Sequence, residues 1–219
     1  MPVKPDRAPL ADRPAPDGSA LLVVDMISTW DFAGADKIVR AALAIAPRIG
    51  ALKRRCLRAG VPVIYVNDNR GRWRSEFREL VRVSIAESAT GAAIAKHLQP
   101  GDDDYSVLKP KHSAFYATPL DLLLRHLRVT RLVISGVASD QCIVMSAAEA
   151  TMRDYDVVVP RDCIADQTPA RTARALRHLR EALDVETTAS SRCRAPRAGG
   201  ARRVPCAPAS GRRCNRAAR

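Results

Sequence analysis

Short, uninterrupted apolar runs recur along this chain and constrain its fold more than any other feature. They are ALLVVD at 20–25, PVIYVND at 62–68, YSVLK at 105–109, TRLVISG at 130–136 and DVVVP at 156–160. Runs without polar alternation are typical of strands buried on both faces, as in a parallel sheet covered by helices. The pattern predicts an α/β fold, a three-layer α/β/α arrangement with a doubly wound, mainly parallel, Rossmann-like sheet of about six strands.

The intervals between these runs have helical periodicity. Helices are predicted over residues 36–59, 73–98, 140–153 and 169–182, with a further helix beginning at Thr118-Pro119. A short sixth strand is expected near residues 184–189. Because ligands bind outside the carboxyl ends of the strands in such sheets, the residues at those ends are the candidates for a site.

The net charge of +13 suggests a nucleic-acid-binding protein, but its distribution argues otherwise. Nine arginines and no acidic residue fall in residues 188–219, which leaves +4 for residues 1–187. We predict a flexible, Pro-rich leader over residues 1–18, a domain over 19–190, and a disordered basic tail over 191–219. The tail has three open interpretations: an extension without a role, a segment that binds nucleic acid or acidic surfaces, or the product of a shifted reading frame.

The composition also limits the cellular location and the kinds of site that the chain can form. No apolar run approaches the roughly 18 residues that cross a bilayer, and the N-terminus lacks the apolar stretch of a secretion signal. A cytoplasmic location without membrane attachment is therefore predicted. The six cysteines form no CxxC pair, which argues against a zinc site or a redox dithiol.

Three residues with complementary chemistry lie at the predicted strand ends. Asp25 ends the first strand, Lys109 ends the third, and Cys142 begins the helix after the fourth. Taken singly, Cys142 is more simply a packing residue, Asp25 a turn residue and Lys109 a surface residue. Their joint placement at one sheet edge favours a catalytic site.

If the three side chains meet, they can perform acyl transfer. Only a thiolate attacks a carbonyl well, and we expect Ser139 to cap the helix that carries Cys142 and so favour negative charge there. Lys109 is expected to lower the pKa of the thiol further. Asp25 can take the thiol proton and pass it to a leaving amine.

The chain resembles the isochorismatase-like cysteine hydrolase family over roughly residues 18–190. The matching segments are LLVVDMISTWDF at 21–32, PVIYVNDNRGRW at 62–73, VLKPKHSAFYATPL at 107–120, LVISGVASDQCIVMSAAEA at 132–150 and DVVVPRDCIAD at 156–166. The resemblance implies an Asp–Lys–Cys triad that falls on Asp25, Lys109 and Cys142. It also implies a cis peptide at Val137–Ala138, which would aim the N–H groups of Ala138 and Cys142 at the substrate oxygen.

Departures from related subfamilies narrow the expected activity. Isochorismatases proper lack the nucleophilic cysteine, so Cys142 argues against vinyl-ether hydrolysis. Nicotinamidases carry an Asp and His metal cluster after strand two, whereas residues 67–77 contain no histidine. We therefore predict no metal or other cofactor, and nicotinamide is disfavoured as a substrate.

The prediction is a metal-independent hydrolase that cleaves a small amide or related C–N bond through a thioester. Pocket candidates are Trp30, Phe32, Asn69, Trp73, His112, Phe115 and Tyr116, with core packing as the alternative for the aromatic residues. The resemblance implies a homo-oligomer and a small-molecule substrate. Two alternatives stay open: a vestigial member that binds without turnover, and a carrier domain for a nucleic-acid-binding tail.

Overall fold

A computed structural model describes residues 15, 18–69, 71 and 73–193 and contains a parallel sheet of five strands. The strands are β1 Ser19–Val24, β2 Val63–Asp68, β3 Tyr105–Lys109, β4 Arg131–Gly136 and β5 Asp156–Val158. Their order across the sheet is β3-β2-β1-β4-β5. The direction of winding reverses between β1 and β4, and this reversal opens the crevice in which doubly wound proteins bind ligands.

Helices cover both faces of this sheet. They are α1 Ala35–Arg58, α2 Phe77–Ala86, α3 Ala89–Leu98, α4 Leu120–His126, α5 Val144–Thr151 and α6 Pro169–Glu181. Helices α1, α2 and α3 pack on the face that carries Leu21 and Val23 of β1. Helices α4, α5 and α6 pack on the opposite face, with Leu22 and Val24. Alternate residues of one strand thus enter two separate cores, which explains why the strand sequences are apolar throughout.

The α/β prediction is confirmed, and two of its details are wrong. The expected sixth strand is a single bridge between Val158 and Glu186, because β5 itself ends at Val158; beyond it, Val159 N donates to Glu186 O and Arg161 N to Thr188 O without forming a second ladder. The expected helix over 73–98 is two helices, because the Ser88 hydroxyl accepts a hydrogen bond from Gly91 N at 3.0 Å and caps a new start at α3.

The crevice depends on very close backbone packing at the end of β4. Gly136 has φ of 120°, and a Cβ atom at this position would lie 2.0 Å from the Val24 carbonyl oxygen. Only glycine tolerates both the backbone conformation and the contact.

Gly136→Ala is therefore expected to lower the free energy of unfolding by about 3 kcal/mol or more, measured by chemical denaturation. Gly101→Ala is the matched control, because a Cβ atom there meets nothing nearer than the Asp104 carboxylate at 3.7 Å. Equal stability of the two variants would contradict this account of the crevice.

The predicted leader and basic tail lie almost entirely outside the described residues. Of the leader, the structure describes Ala15, whose backbone N donates to Leu127 O at 2.9 Å, and Gly18. Of the tail it describes residues 191–193. Within the described part of the chain, no helix has both the length and the apolar character needed to cross a bilayer.

Candidate active site

The three candidate catalytic side chains meet at the carboxyl edge of the sheet. Asp25 directly follows β1, Lys109 is the last residue of β3, and Cys142 lies in a five-residue π-helical turn, Ser139–Ile143, between β4 and α5. Lys109 Nζ is 2.9 Å from Asp25 Oδ2 and 3.5 Å from Cys142 Sγ. Asp25 and Cys142 are also close enough for each to shift the pKa of the other.

Lys109 is the buried centre of this cluster. Its side chain has no exposed surface, so the ammonium depends on its neighbours for stabilisation. Besides Asp25 and the thiol, the Asp68 carboxylate lies 3.7 Å from Nζ. A cation held this way counters the negative charge that develops on carboxylate or sulfur during a reaction.

Asp25 is held by the strand next to its own. Its Oδ1 accepts a hydrogen bond from Asp68 N at 2.8 Å, and its own backbone N donates to Val66 O at 2.9 Å. Its φ of 53° is left-handed, a conformation that aspartate adopts more readily than most residues. These contacts leave Oδ2 directed at Lys109.

The thiol of Cys142 is protonated in the resting site. Burial, together with the nearby Asp25 carboxylate, raises its pKa to about 12, and Lys109 only partly opposes this rise. Burial also raises the pKa of the Asp25 carboxyl, against the influence of Lys109. The expectation of a lowered thiol pKa is therefore wrong, because desolvation outweighs the effect of the cation. A more basic Asp25 beside a neutral thiol is suited to proton transfer during attack.

This arrangement predicts slow alkylation of Cys142 at neutral pH. The rate of iodoacetamide labelling, followed by peptide mass, should still be rising at pH 10, because an ordinary thiol titrates near about 8.5 and this one titrates higher. Labelling of Cys142→Ala measures the contribution of the other thiols. A rate that levels off at or below pH 8.5 would contradict the protonated resting state.

The turn that carries Cys142 is anchored by a buried carboxylate that the sequence reading did not single out. Asp166 Oδ2 accepts hydrogen bonds from Ser139 Oγ at 3.0 Å and from Asp140 N at 2.9 Å. The prediction that Ser139 caps the helix is wrong, since its hydroxyl donates to Asp166 and Ala138 occupies the cap position. The signal for Asp166 was its place in the matching segment DVVVPRDCIAD, after β5.

The backbone around this turn leaves few donors for a substrate oxygen. The Val137–Ala138 peptide bond is cis. Five N–H groups already have acceptors within the protein, those of Val137, Ser139, Asp140, Gln141 and Ile143. The two N–H groups that the family resemblance assigns to the substrate oxygen, those of Ala138 and Cys142, are not among these five.

A cavity of about 360 Å³ opens in front of the thiol. Its lining includes the predicted Trp30, Phe32 and His112, and His112 Nδ1 is 3.7 Å from Cys142 Sγ. Lining residues that the sequence reading missed are Ile27, Ser28, Ile38, Asn67, Asp68, Gln141 and Gln167. Asn67 and Asp68 are the last residues of β2. The rule that ligands bind at the carboxyl ends of the strands, which identified Asp25, therefore applied to them as well.

The other pocket candidates do not line this cavity. Phe115 is buried in the core against Tyr155, with ring centroids 6.0 Å apart. Trp73 is 83% exposed, and Tyr116 is also exposed. Asn69 Oδ1 accepts a hydrogen bond from Gly71 N within its own loop. For Phe115 the packing alternative holds.

Within the described residues, no group of three or more His, Cys, Asp or Glu side chains is placed to hold a metal ion. The two carboxylates that line the cavity, those of Asp25 and Asp68, both face the Lys109 ammonium instead. The side chains at this edge are arranged around a buried cation supplied by the protein itself.

Comparisons with known proteins agree with this architecture. The isochorismatase domain family matches residues 19–190. An uncharacterised isochorismatase family protein of Bacillus subtilis, YaaI, is 35% identical over 77% of this chain and 92% of its own. A probable inactive nicotinamidase of Arabidopsis thaliana is 32% identical over 69% of this chain and 82% of its own. The crystal structure of N-carbamoylsarcosine amidase from Thermoplasma acidophilum superposes with a TM-score of 0.56 at 27% identity, covering 78% of this chain and 96% of that one.

Proposed function

Because the chain belongs to the isochorismatase family of hydrolases, we propose that it cleaves a small amide or related C–N bond through a thioester on Cys142, without a metal. One observation carries the proposal: a fully buried ammonium contacts both a carboxylate and a thiol at the edge of the cavity. The amidase named among the structural relatives supports a C–N bond as the target.

The geometry suits a mechanism in which one residue, Asp25, carries the proton in both halves of the reaction. Asp25 accepts the thiol proton as the sulfur attacks the carbonyl carbon, so the C–S bond forms without a free thiolate accumulating. The oxygen becomes negative and is stabilised by the N–H groups of Ala138 and Cys142. As the C–N bond breaks, Asp25 returns the proton to the leaving nitrogen, and the thioester remains.

The second half of the reaction hydrolyses the thioester and regenerates the free thiol of Cys142. Water attacks the thioester carbonyl and gives a proton to Asp25, the C–S bond breaks, and the proton passes to the departing sulfur. The products are an acid and ammonia or an amine, so atoms and charge balance with water as the only co-reactant. Lys109 stays charged throughout and stabilises Asp25 and the sulfur in turn.

An ammonia-release screen over small amides and ureas tests this function. We expect at least one substrate to be hydrolysed and to leave an acyl adduct on the Cys142 peptide after acid quenching, detected by mass. Hydrolysis without an adduct, at a rate unaffected by alkylation of Cys142, would exclude the thioester route. Absence of turnover across the screen would favour a vestigial binding protein, the interpretation suggested by the Arabidopsis relative.

A further inference from the structure

Arg171 on α6 contacts three residues that belong to the candidate site or support it. Its Nε is 2.7 Å from Asp140 Oδ2 and 3.5 Å from Asp166 Oδ1, and its Nη1 donates to Gln167 Oε1 at 2.5 Å. Asp140 precedes Cys142 by two residues in the same turn, and Gln167 lines the cavity. Arg171 does not line the cavity itself. It therefore links the turn that carries the thiol to the wall of the cavity.

The contact with Asp140 brings a cation to two neighbouring carboxylates. Asp166 Oδ2 accepts a hydrogen bond from Asp140 N at 2.9 Å, so the two acidic residues lie side by side. Burial and the Asp166 carboxylate raise the pKa of Asp140, and Arg171 opposes this rise. Asp140 Oδ1 is buried and has no hydrogen-bond partner among the described residues. Two like charges this close repel one another, and Arg171 offsets the repulsion because it contacts both.

The contact with Gln167 fixes the orientation of its side-chain amide. A guanidinium N–H can only donate, so the atom bonded to Arg171 is the amide oxygen. The Nε2 group is then the free end, and it lies 4.0 Å from the position that a Cβ atom on Gly34 would take. Phe32 and Ile38, on either side of Gly34 in the chain, line the same cavity. Arg171 thereby determines that this wall amide presents its N–H donors, and not its oxygen, toward that side of the cavity.

We propose that Arg171 is a positioning residue that acts in two ways, by holding the turn that carries Cys142 and by orienting Gln167 in the cavity wall. This inference rests on the proposed function and adds a residue that the reaction needs although it touches neither the substrate nor the sulfur. The first action depends on charge, because Arg171 offsets the repulsion between Asp140 and Asp166. The second depends on the planar guanidinium, which donates to a carboxylate and to an amide oxygen at the same time.

Three variants separate the two actions, measured with the best substrate from the ammonia-release screen. Arg171→Met removes both, so we expect kcat to fall by about tenfold or more and KM to rise by about threefold or more. Arg171→Lys keeps the charge without the planar fork, so kcat should return toward the wild-type value while KM stays raised. Gln167→Leu should raise KM alone, because it removes a group of the wall and leaves the turn in place.

The control is Arg174→Met, since Arg174 is exposed one turn further along α6 and does not line the cavity. It should leave kcat and KM unchanged. Arg171→Gln, which removes the charge but keeps a polar side chain, takes the place of Arg171→Met if that variant does not fold. A wild-type kcat without the positive charge, or an equal loss of kcat in Arg171→Lys, overturns the proposal.

The kcat deficit of Arg171→Met should depend on pH in a direction set by the carboxylate pair. The charged groups that face one another here are Asp140 of the turn, Asp166 of the segment after β5, and Arg171 of α6. Without the cation Asp140 takes up its proton at a higher pH, and this proton removes the repulsion. The ratio of wild-type to variant kcat should therefore fall from pH 8 to pH 5.5, while Asp25 and Lys109 titrate in both proteins. A ratio that is constant or grows toward acid overturns the role assigned to the charge.

Iodoacetamide labelling of Cys142 tests the positioning role without any turnover. A loosened turn admits water and so reduces the burial that raises the pKa of the thiol. Labelling of Arg171→Met at pH 8 should therefore be about threefold or more faster than that of the wild type, and Arg171→Lys and Arg174→Met should label at the wild-type rate.

The same labelling distinguishes failure of this inference from failure of the proposed function. Faster labelling of Arg171→Met, with no turnover by the wild type across the screen, supports the positioning of the turn and refutes the hydrolase. Turnover by the wild type, with labelling that is the same in Arg171→Met, supports the hydrolase and overturns the positioning role. If neither turnover nor a change in labelling is observed, both are refuted.

Discussion

Cys142→Ala is expected to lower the rate of amide hydrolysis by about 10⁴-fold or more. The sulfur is the atom that forms the covalent bond, and neither Asp25 nor Lys109 can replace it. The loss should appear in kcat/KM for every substrate that the wild type hydrolyses, measured by ammonia release. Substrate binding should persist, because alanine leaves the walls of the cavity in place.

Cys56→Ala is the matched control for this prediction. Both cysteines are 7% exposed, but Cys56 lies on the buried face of α1 and does not line the cavity. Both variants lose a small buried side chain, and a modest loss of stability is expected in each. Only the Cys142 variant should lose activity. Activity that survives in Cys142→Ala would refute the covalent mechanism outright.

The proximity of Asp25, Lys109 and Cys142 could be predicted from the sequence because it follows from the topology of the sheet. Asp25 and Lys109 lie 84 positions apart, yet parallel strands place all their carboxyl ends on one edge, and β2 alone separates β1 from β3. The apolar runs located the ends of β1 and β3 to within a residue. Long-range proximity here follows from a repeated local pattern, without any knowledge of individual contacts.

The protonation state of the thiol could not be anticipated in the same way. It results from opposing influences, burial and Asp25 on one side and Lys109 on the other, and their balance depends on distances and solvent exclusion. The sequence predicts that a cation lies near the thiol, but it does not show that solvent is excluded from the site around them. The same reason explains Ser139, which was expected to accept from an N–H of the helix and whose hydroxyl instead donates to Asp166, a residue 27 positions later.

The pocket shows a further limit of sequence reading. Trp30 and His112 line the cavity, but Trp73 and Phe115, equally aromatic, do not. Aromatic identity alone does not distinguish a core residue from a wall residue, since both environments favour large apolar side chains. Asn67 was overlooked because a polar residue at a strand end is also expected in an ordinary turn, and its place in the cavity lining depends on the three-dimensional packing.

Lys109→Met is the second substitution for which a large effect is expected. It should lower kcat/KM by about 10³-fold or more, because both Asp25 and the attacking sulfur lose the cation that stabilises their negative charge. The loss should not be confined to one substrate, since the cation acts on the protein groups. Iodoacetamide labelling of Cys142 should also become slower at a given pH, because the effect of Lys109 that lowers the thiol pKa is gone.

Lys53→Met separates this effect from a general cost of removing a buried lysine. Lys53 is also buried and pairs with Asp104 at 2.5 Å, but it lies outside the cavity. Both variants leave a carboxylate without its cation, which typically destabilises a fold by about 3–5 kcal/mol. Only Lys109→Met should lose activity, and equal activity losses in the two folded variants would contradict the catalytic role.

The stability deficit of Lys109→Met should depend on pH in a direction set by Asp25. Burial already raises the pKa of this carboxyl, and removal of Lys109 takes away the main influence that lowers it. A carboxyl whose pKa is higher in the folded than in the unfolded state binds its proton more readily when folded, so stability rises as pH falls through the folded value. Denaturation of wild type and variant between pH 7 and pH 5 should show the difference in unfolding free energy narrowing toward pH 5. A deficit that is constant or grows toward acid would mean that Asp25 does not depend on Lys109 for its charge.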